Sequence, residues 1–410
     1  MNVKKLVASM FAVSVVASPL AYATNGSEMM ASGSENNALG GTGVAHYVGA
    51  ESAFANPAML GKSTGSEVTG GFVYLKPTVS NNGNGGVDTA SGANPSYIPD
   101  VSYSSRINDN FTYGVAMAGI AGMGVDYTGA AASLFYAKTS LSIARIIPTI
   151  SYNTESYGLG FSPVVQYGTL MVAYNSVPAY GAQGLNYNSA NSSDSYTNYG
   201  FNLGGYFNAT KSLTLALAYQ SQIDMKYGTQ LSGAAAGFGL FTGTGSKGAG
   251  FSDTLSQPAE AKVGLSYAIN DKYTLTTDYK LIQWSSATGY KDFNWSDQNV
   301  VAVGGKYAGD GYWLGLGYNY ANDPIGTYAA STYRNAVINF FNNEMFPAIV
   351  TSSYTLGGGY GISKSLGIDF SAVITPQVTK TVDISQMGGA TTNTTSHSQQ
   401  AVSLSLRYKF

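Results

Sequence analysis

From residue 66 to the C-terminus, apolar and polar residues alternate with a period of two. Ala261, Val263, Leu265, Tyr267 and Ile269 share one face, and Lys262, Gly264, Ser266, Ala268 and Asn270 take the other. Leu213, Leu215, Leu217 and Tyr219 repeat the arrangement, as do Leu366, Ile368, Phe370 and Ala372. Fourteen such segments are expected, near 66–80, 97–106, 111–120, 144–153, 157–175, 196–208, 212–228, 259–270, 272–285, 299–309, 312–323, 351–363, 365–380 and 396–410. Their connections are by turns short, as at 107–110, 210–211 and 309–311, and long, as at 121–143, 229–258 and 324–350. An even number of strands with this asymmetry predicts an all-β, 14-stranded antiparallel outer-membrane β-barrel with short periplasmic turns and long external loops. Lipid offers no partner to an unpaired backbone edge, so the first strand is expected to pair with the last.

Two stretches at the front do not alternate. Residues 1–23 have a basic start (Lys4, Lys5), an apolar core too short to span a bilayer, Pro19, and the small-residue ending Ala21-Tyr22-Ala23, which predicts a signal peptide cleaved after Ala23 and hence export through the periplasm. Residues 24–65 are rich in glycine and read as an object inside the barrel, with 66–410 forming its wall.

Composition narrows the class. Charged residues are only 10% of the chain, against about 25% in soluble domains. A soluble β-sandwich also alternates, but its exposed faces carry more Lys, Glu and Asp than these segments do. After the leader no apolar run is long enough for a membrane helix. There are no cysteines, so neither disulfides nor thiolate metal sites are expected. The formal charge of −2 has no basic stripe behind it, and nucleic acid is not an expected partner. With two histidines, His46 in the front segment and His397 assigned to a long loop, no catalytic constellation, metal or cofactor is expected. Gly315-Leu316-Gly317 falls inside a strand rather than before a helix and gives no dinucleotide site.

Three groups of residues are candidates for function. The 229–257 connection holds Phe238, Leu240 and Phe241, and the 324–350 connection holds Phe340, Phe341, Met345 and Phe346. Apolar clusters in external loops mark either a surface that captures hydrophobic ligands or a lid packed on itself. Met29 and Met30, near the mature N-terminus, are soft side chains that read either as ligand contacts or as gap fillers. At the other end Val402, Leu404, Leu406, Tyr408 and Phe410 alternate up to a terminal aromatic; Tyr408 and Phe410 resemble the signal read by the bacterial barrel-assembly machinery.

Ala38-Leu39-Gly40-Gly41-Thr42-Gly43-Val44-Ala45, followed by Ala53-Phe54-Ala55-Asn56-Pro57-Ala58-Met59-Leu60, resembles the FadL/TodX family of outer-membrane transporters for hydrophobic compounds. Members have a glycine-rich turn, an Asn-Pro-Ala motif and then the first strand; Gln257-Pro258-Ala259 and Trp284-Ser285-Ser286 continue the likeness. The resemblance implies a lumen plugged by an N-terminal hatch, here 24–65, and passive uptake of long-chain fatty acids or aromatic hydrocarbons. It further implies capture between external loops, a lumen pocket, and sideways release past a kinked third strand. Asn56 bonding nearby backbone and Pro57 fixing φ suit a rigid bend that seats the hatch, an architectural role ahead of a hinge or ligand contact. Gly114, Gly119, Gly122 and Gly124 mark a kink in the third strand, with Pro148 and Pro163 as rival sites.

The expected partners are hydrophobic small molecules and the outer-membrane lipid and lipopolysaccharide around a monomeric barrel. Three other functions compete. A general porin keeps a charged open channel, a barrel enzyme needs a catalytic group, and an adhesin uses its apolar loops on a host surface.

Overall fold

The computed structural model describes residues 25–129, 132–174, 193–240 and 251–410. Among them fourteen strands form one closed antiparallel sheet: β1 (Glu67–Asn81), β2 (Ser96–Arg106), β3 (Phe111–Met123), β4 (Lys138–Asn153), β5 (Tyr157–Ala173), β6 (Asp194–Asn208), β7 (Leu213–Gln220), β8 (Glu260–Ala268), β9 (Tyr273–Ile282), β10 (Gln298–Gly309), β11 (Tyr312–Ala321), β12 (Ser352–Gly361), β13 (Leu366–Asp383) and β14 (Thr392–Lys409). Each pairs with its chain neighbours. β1 closes on β14, from Glu67 opposite Lys409 to Asn81 opposite Thr395, as the need to remove edges requires. A two-residue ribbon, Thr89–Ala90, adds to the end of β1.

The sheet is turned inside out relative to a soluble protein. In β14 Val402, Leu404, Leu406 and Tyr408, with Phe410 just after it, are exposed while Ser403 and Ser405 are buried. Phe72, Leu217, Leu316 and Tyr354 are likewise exposed, and Thr69, Ser104, Ser162, Thr276 and Asn319 are buried. The apolar face meets hydrocarbon and the small polar face meets the interior. The described residues contain no helix long and apolar enough to cross a membrane.

Several strand boundaries differ from those expected. β7 stops at Gln220 instead of running to 228. Ile223, Met225 and Tyr227 go on alternating but bury themselves under the external loops, so a period-two pattern serves an apolar core there and not the lipid. Much of the expected 121–143 loop belongs to the end of β3 and the start of β4. β14 starts at Thr392, four residues before the expected 396, and His397, assigned to a loop although it falls within the expected last segment, lies in this strand; its Nδ1 donates to the Pro347 carbonyl at 2.7 Å, and Gln399 Nε2 donates to its Nε2 at 3.1 Å.

Residues 25–65 carry two short helices, α1 (Ser34–Ala38) and α2 (Ser52–Ala55), and a 3-10 turn over Pro57–Lys62. Inward-facing side chains around the barrel bond this segment. Thr276 of β9 meets Thr42 at 2.6 Å, Asp278 of β9 accepts from Val44 N at 2.9 Å, and Asn319 of β11 donates to Gly40 O at 3.0 Å. Thr355 of β12 donates to Ala38 O at 2.7 Å, and Ser405 of β14 meets Ser34 at 2.7 Å. Glu35 pairs with Lys306 of β10 and, at 3.4 Å, with both Arg407 of β14 and His46. Burial alone raises a carboxyl, but Lys306 and Arg407 hold Glu35 well below the usual carboxylate range.

Candidate functional site

The external end is closed by an apolar core. Helix α3 (Gln230–Gly237) and helix α4 (Tyr333–Met345) bring Phe238, Leu240, Phe340, Phe341, Met345 and Phe346 into one buried cluster with Phe135, Phe251 and Phe293. Phe238 lies edge-on to Phe135 at 5.2 Å, and Phe341 stacks on Phe293 at 4.8 Å. The six described candidates therefore meet, but they face one another and not water; Phe241 lies outside the described residues. Three buried asparagines tie α4 down. Asn339 donates to Tyr328 O at 2.9 Å, Asn342 to Phe293 O at 2.7 Å, and Asn343 to Asn393 Oδ1 at 2.7 Å.

Below this lid lies the N-terminal extremity of the inner segment. Trp284, Tyr290 and Trp295 pack with ring centroids 4.5 to 5.0 Å apart, and Ser27 Oγ meets the Tyr290 hydroxyl at 3.0 Å. The extremity then docks on the third strand. β3 and β4 change register between Gly119 and Ala121, leaving Ile120 as a bulge. Met29 N donates to Ile120 O at 2.8 Å, and Gly122 N donates to Ser27 O at 2.8 Å. The β2–β3 ladder runs only from Arg106 opposite Thr112 to Asp100 opposite Ala118, although β3 continues to Met123. Past the bulge β3 keeps its ladder to β4 but has left β2 for the inner segment, so the wall between β2 and β3 has no ladder hydrogen bonds there. The rival prolines also break pairing: the β4–β5 ladder is interrupted between Ile146 opposite Val165 and Ile150 opposite Phe161, with register unchanged.

Two cavities adjoin the extremity. The larger, of about 70 Å³, has Met29, Met30, Phe54, Ile120 and Val300 on its apolar side. On its polar side are three cations, Arg145, Lys262 and Lys280, and three acids, Glu28, Glu260 and Asp278. Lys262 and Lys280, opposite each other on β8 and β9, lie 3.2 and 3.4 Å from Glu260. Arg145 Nε donates to Gln166 Oε1 at 2.8 Å and Nη1 to Gln220 Oε1 at 2.5 Å, while its Nη2 has no hydrogen-bond partner. Glu28 Oε1 and Gln220 Nε2 also lack one. Buried polar groups left open around a cavity mark a place for a polar guest. The smaller cavity, of about 30 Å³, is lined by Met29 and Met30 again and by Val73, Leu75, Val373 and Ala401. Met29 and Met30 thus stand between a charged chamber and an apolar one.

Asn56 is fully buried at the opposite side of the inner segment. Its Oδ1 accepts from Ala58 N at 3.0 Å, and its Nδ2 donates to Val44 O at 2.8 Å and Gly205 O at 3.3 Å. Its backbone is extended, as a residue before proline prefers. The wall yields to this corner: a Cβ on Gly204 would sit 1.9 Å from Asn56 Oδ1, and one on Gly160 would sit 2.2 Å from Ala58 N. Tyr408 and Phe410 are exposed and stack at 5.9 Å on the outer face.

The charged chamber was not among the expectations. Its signal was available: in a chain with so little charge, Glu260 and Lys262, then Asp278 and Lys280, recur at spacing two on the polar faces of adjacent strands.

Residues 12–410 match the family model described as outer membrane protein transport protein (OMPP1/FadL/TodX). The chain is 24% identical over 317 residues to a long-chain fatty acid transport protein of Escherichia coli O6:H1, covering 66% of this chain and 71% of that one. Among solved structures, a Pseudomonas aeruginosa FadL homologue superposes with TM-score 0.71 at 18% identity, over 94% of this chain and all (100%) of that one. The Pseudomonas putida toluene transporter TodX superposes with TM-score 0.67 at 17% identity, over 93% of this chain and 99% of that one. A match along nearly the whole chain, on a closed fourteen-stranded barrel, settles the matter: this chain belongs to the OMPP1/FadL/TodX family of outer-membrane β-barrel transport proteins for hydrophobic compounds, and is a transporter and not an enzyme.

Proposed function

We propose that the chain carries long-chain fatty acids inward across the outer membrane, without an energy source. The observation that carries this reading is the pair of cavities divided by Met29 and Met30. A carboxylate suits the open Nη2 of Arg145 beside Lys262 and Lys280, and an alkyl tail suits the chamber of Val73, Leu75, Val373 and Ala401. Movement of two flexible methionines joins them into one site with a polar head and an apolar tail. Each buried CH₂ contributes about 0.8 kcal/mol, which lets a chain of apolar contacts carry such a solute through the lipopolysaccharide layer.

In this scheme the aromatic core beneath α3 and α4 opens to take up the tail, 24–65 acts as the hatch, and release is sideways through the gap between β2 and β3. Residues 1–23 are the cleaved leader, Tyr408 and Phe410 guide assembly by the barrel-assembly machinery, and the barrel works as a monomer. The competing substrate class, monoaromatic hydrocarbons, is favoured by the small size of the larger cavity, about 70 Å³. The test is uptake of labelled oleate and labelled toluene by cells with and without the protein, beside a variant lacking 24–30. Protein-dependent oleate uptake that the truncation impairs is the expected result. Protein-dependent toluene uptake alone transfers the assignment to hydrocarbons, and faster entry of small hydrophilic solutes through the intact protein rejects a hatch.

A further inference from the structure

Glu28 is the one charged residue that the inner segment contributes to the larger cavity, and it is 4% exposed. Arg145 on β4, Glu260 and Lys262 on β8, and Asp278 and Lys280 on β9 share that cavity with it, and Tyr290 lies beyond its neighbour Ser27. One of its carboxyl oxygens has no hydrogen-bond partner. With Glu28 ionised, the acids match the cations three to three. With Glu28 neutral, at least one positive charge is in excess in a cavity that Arg145, with its open Nη2, helps to line.

We propose that Glu28 sets the head-group preference of this cavity: in its neutral form it leaves room for one anionic head, and in its ionised form it removes that preference. The proposal rests on the fatty-acid reading of the same site and adds to it a residue that decides charge selectivity. Burial first, and the nearby Glu260 carboxylate second, push the Glu28 carboxyl up to about 8, so near neutral pH it holds its proton. The sign follows. Raising the pH through that value puts a negative charge against a bound anion and weakens its binding, whereas an uncharged head is indifferent. By linkage, a bound anion in turn makes Glu28 harder to ionise.

Fatty acids themselves titrate, so the probe needs a head ionised at every pH. The experiment is calorimetry on the full mature chain in lipid nanodiscs, with empty nanodiscs subtracted, using dodecanesulfonate as the anion and dodecanol as the uncharged partner. Between about pH 6.5 and about pH 9 the wild-type affinity for dodecanesulfonate is expected to fall several-fold, with about tenfold as the limit for one group titrating at about 8, while dodecanol changes less than about twofold. Glu28→Gln, which mimics the neutral form, is expected to bind dodecanesulfonate without that fall. A flat wild-type profile with both probes bound overturns the role of Glu28 and leaves the transport reading standing. A fall that persists in Glu28→Gln assigns the effect to another group and also overturns it. Failure of either probe to bind at any pH overturns the transport reading and this inference together.

Discussion

Asn56 and Arg145 illustrate how differently single residues announce themselves. Asn56 stands in a readable motif, and its amide closes three hydrogen bonds while the wall opposite has given up two side chains, at Gly160 and Gly204, to let it approach. Asn56→Ala leaves Val44 O, Gly205 O and Ala58 N without that partner and is expected to cost about 2 to 4 kcal/mol. The folded form, followed by its heat-resistant mobility on gels, should melt at lower temperature. Gly204→Ala should also destabilise, because its Cβ falls on Asn56 Oδ1, and it should cost less in the Asn56→Ala background, where that oxygen is gone. Strictly additive costs would show that this contact does not seat the inner segment. Arg145 carries no motif, because an arginine on the polar face of a strand looks the same whether it meets solvent, a carboxylate or two glutamines.

At the scale of elements, the third strand carries the irregularity on which the proposed sideways release depends. Its glycines pointed to a kink, and the irregularity falls at Ile120, between Gly119 and Ala121. Glycine content alone did not separate this site from Pro148 and Pro163, since all three break a ladder; what separates them is that the extremity 27–29 takes over the main-chain bonds that β3 withdraws from β2. Deleting Ile120 removes the extra residue, restores a continuous register with β4 and lets β3 stay on β2. Uptake of the transported compound is then expected to fall at least about tenfold while the barrel remains folded and membrane-inserted, because the loss of one bulge residue does not touch the closing β1–β14 ladder. Undiminished uptake by a folded variant would place the exit elsewhere, with the β4–β5 interruption next in line. Apolar loop clusters suit a capture surface as well as a packed lid, and in helix α4 the asparagines spend their amides on the carbonyls and amides of three neighbouring segments, so capture would require these bonds to give way.

For the molecule as a whole, the packed core beneath α3 and α4 covers the external side and the inner segment lies across the lumen, so entry from outside is expected to need movement of α4. The chain has no cysteine, and a pair introduced at 343 and 393, where the two amide side chains now touch at 2.7 Å, can be oxidised without competing thiols. The oxidised form is expected to lose nearly all protein-dependent uptake, and a reductant to restore it. Uptake that is indifferent to oxidation would mean that the lid does not open at α4. High salt should disturb the seating of the inner segment little, since Glu35, Lys306 and Arg407 meet in a buried place where screening is weak.

Strand number, facing and closure could be read along the chain because side-chain alternation is a property of each extended segment, and because a bilayer forbids an unpaired edge whatever the neighbours are. The same local rule misled at 221–228, where alternating Ile223, Met225 and Tyr227 found an apolar core in the lid in place of lipid. The charged chamber was beyond that rule. Glu28 comes from the inner segment, Arg145 from β4, and Glu260 and Asp278 from the neighbouring strands β8 and β9 more than a hundred residues further on, and they meet because closing the sheet around the inner segment brings inward faces together across the lumen. The spacing-two charges of β8 and β9 were legible in the chain, but their meeting with Glu28 and Arg145, and the empty space among them, are set by that three-dimensional fit.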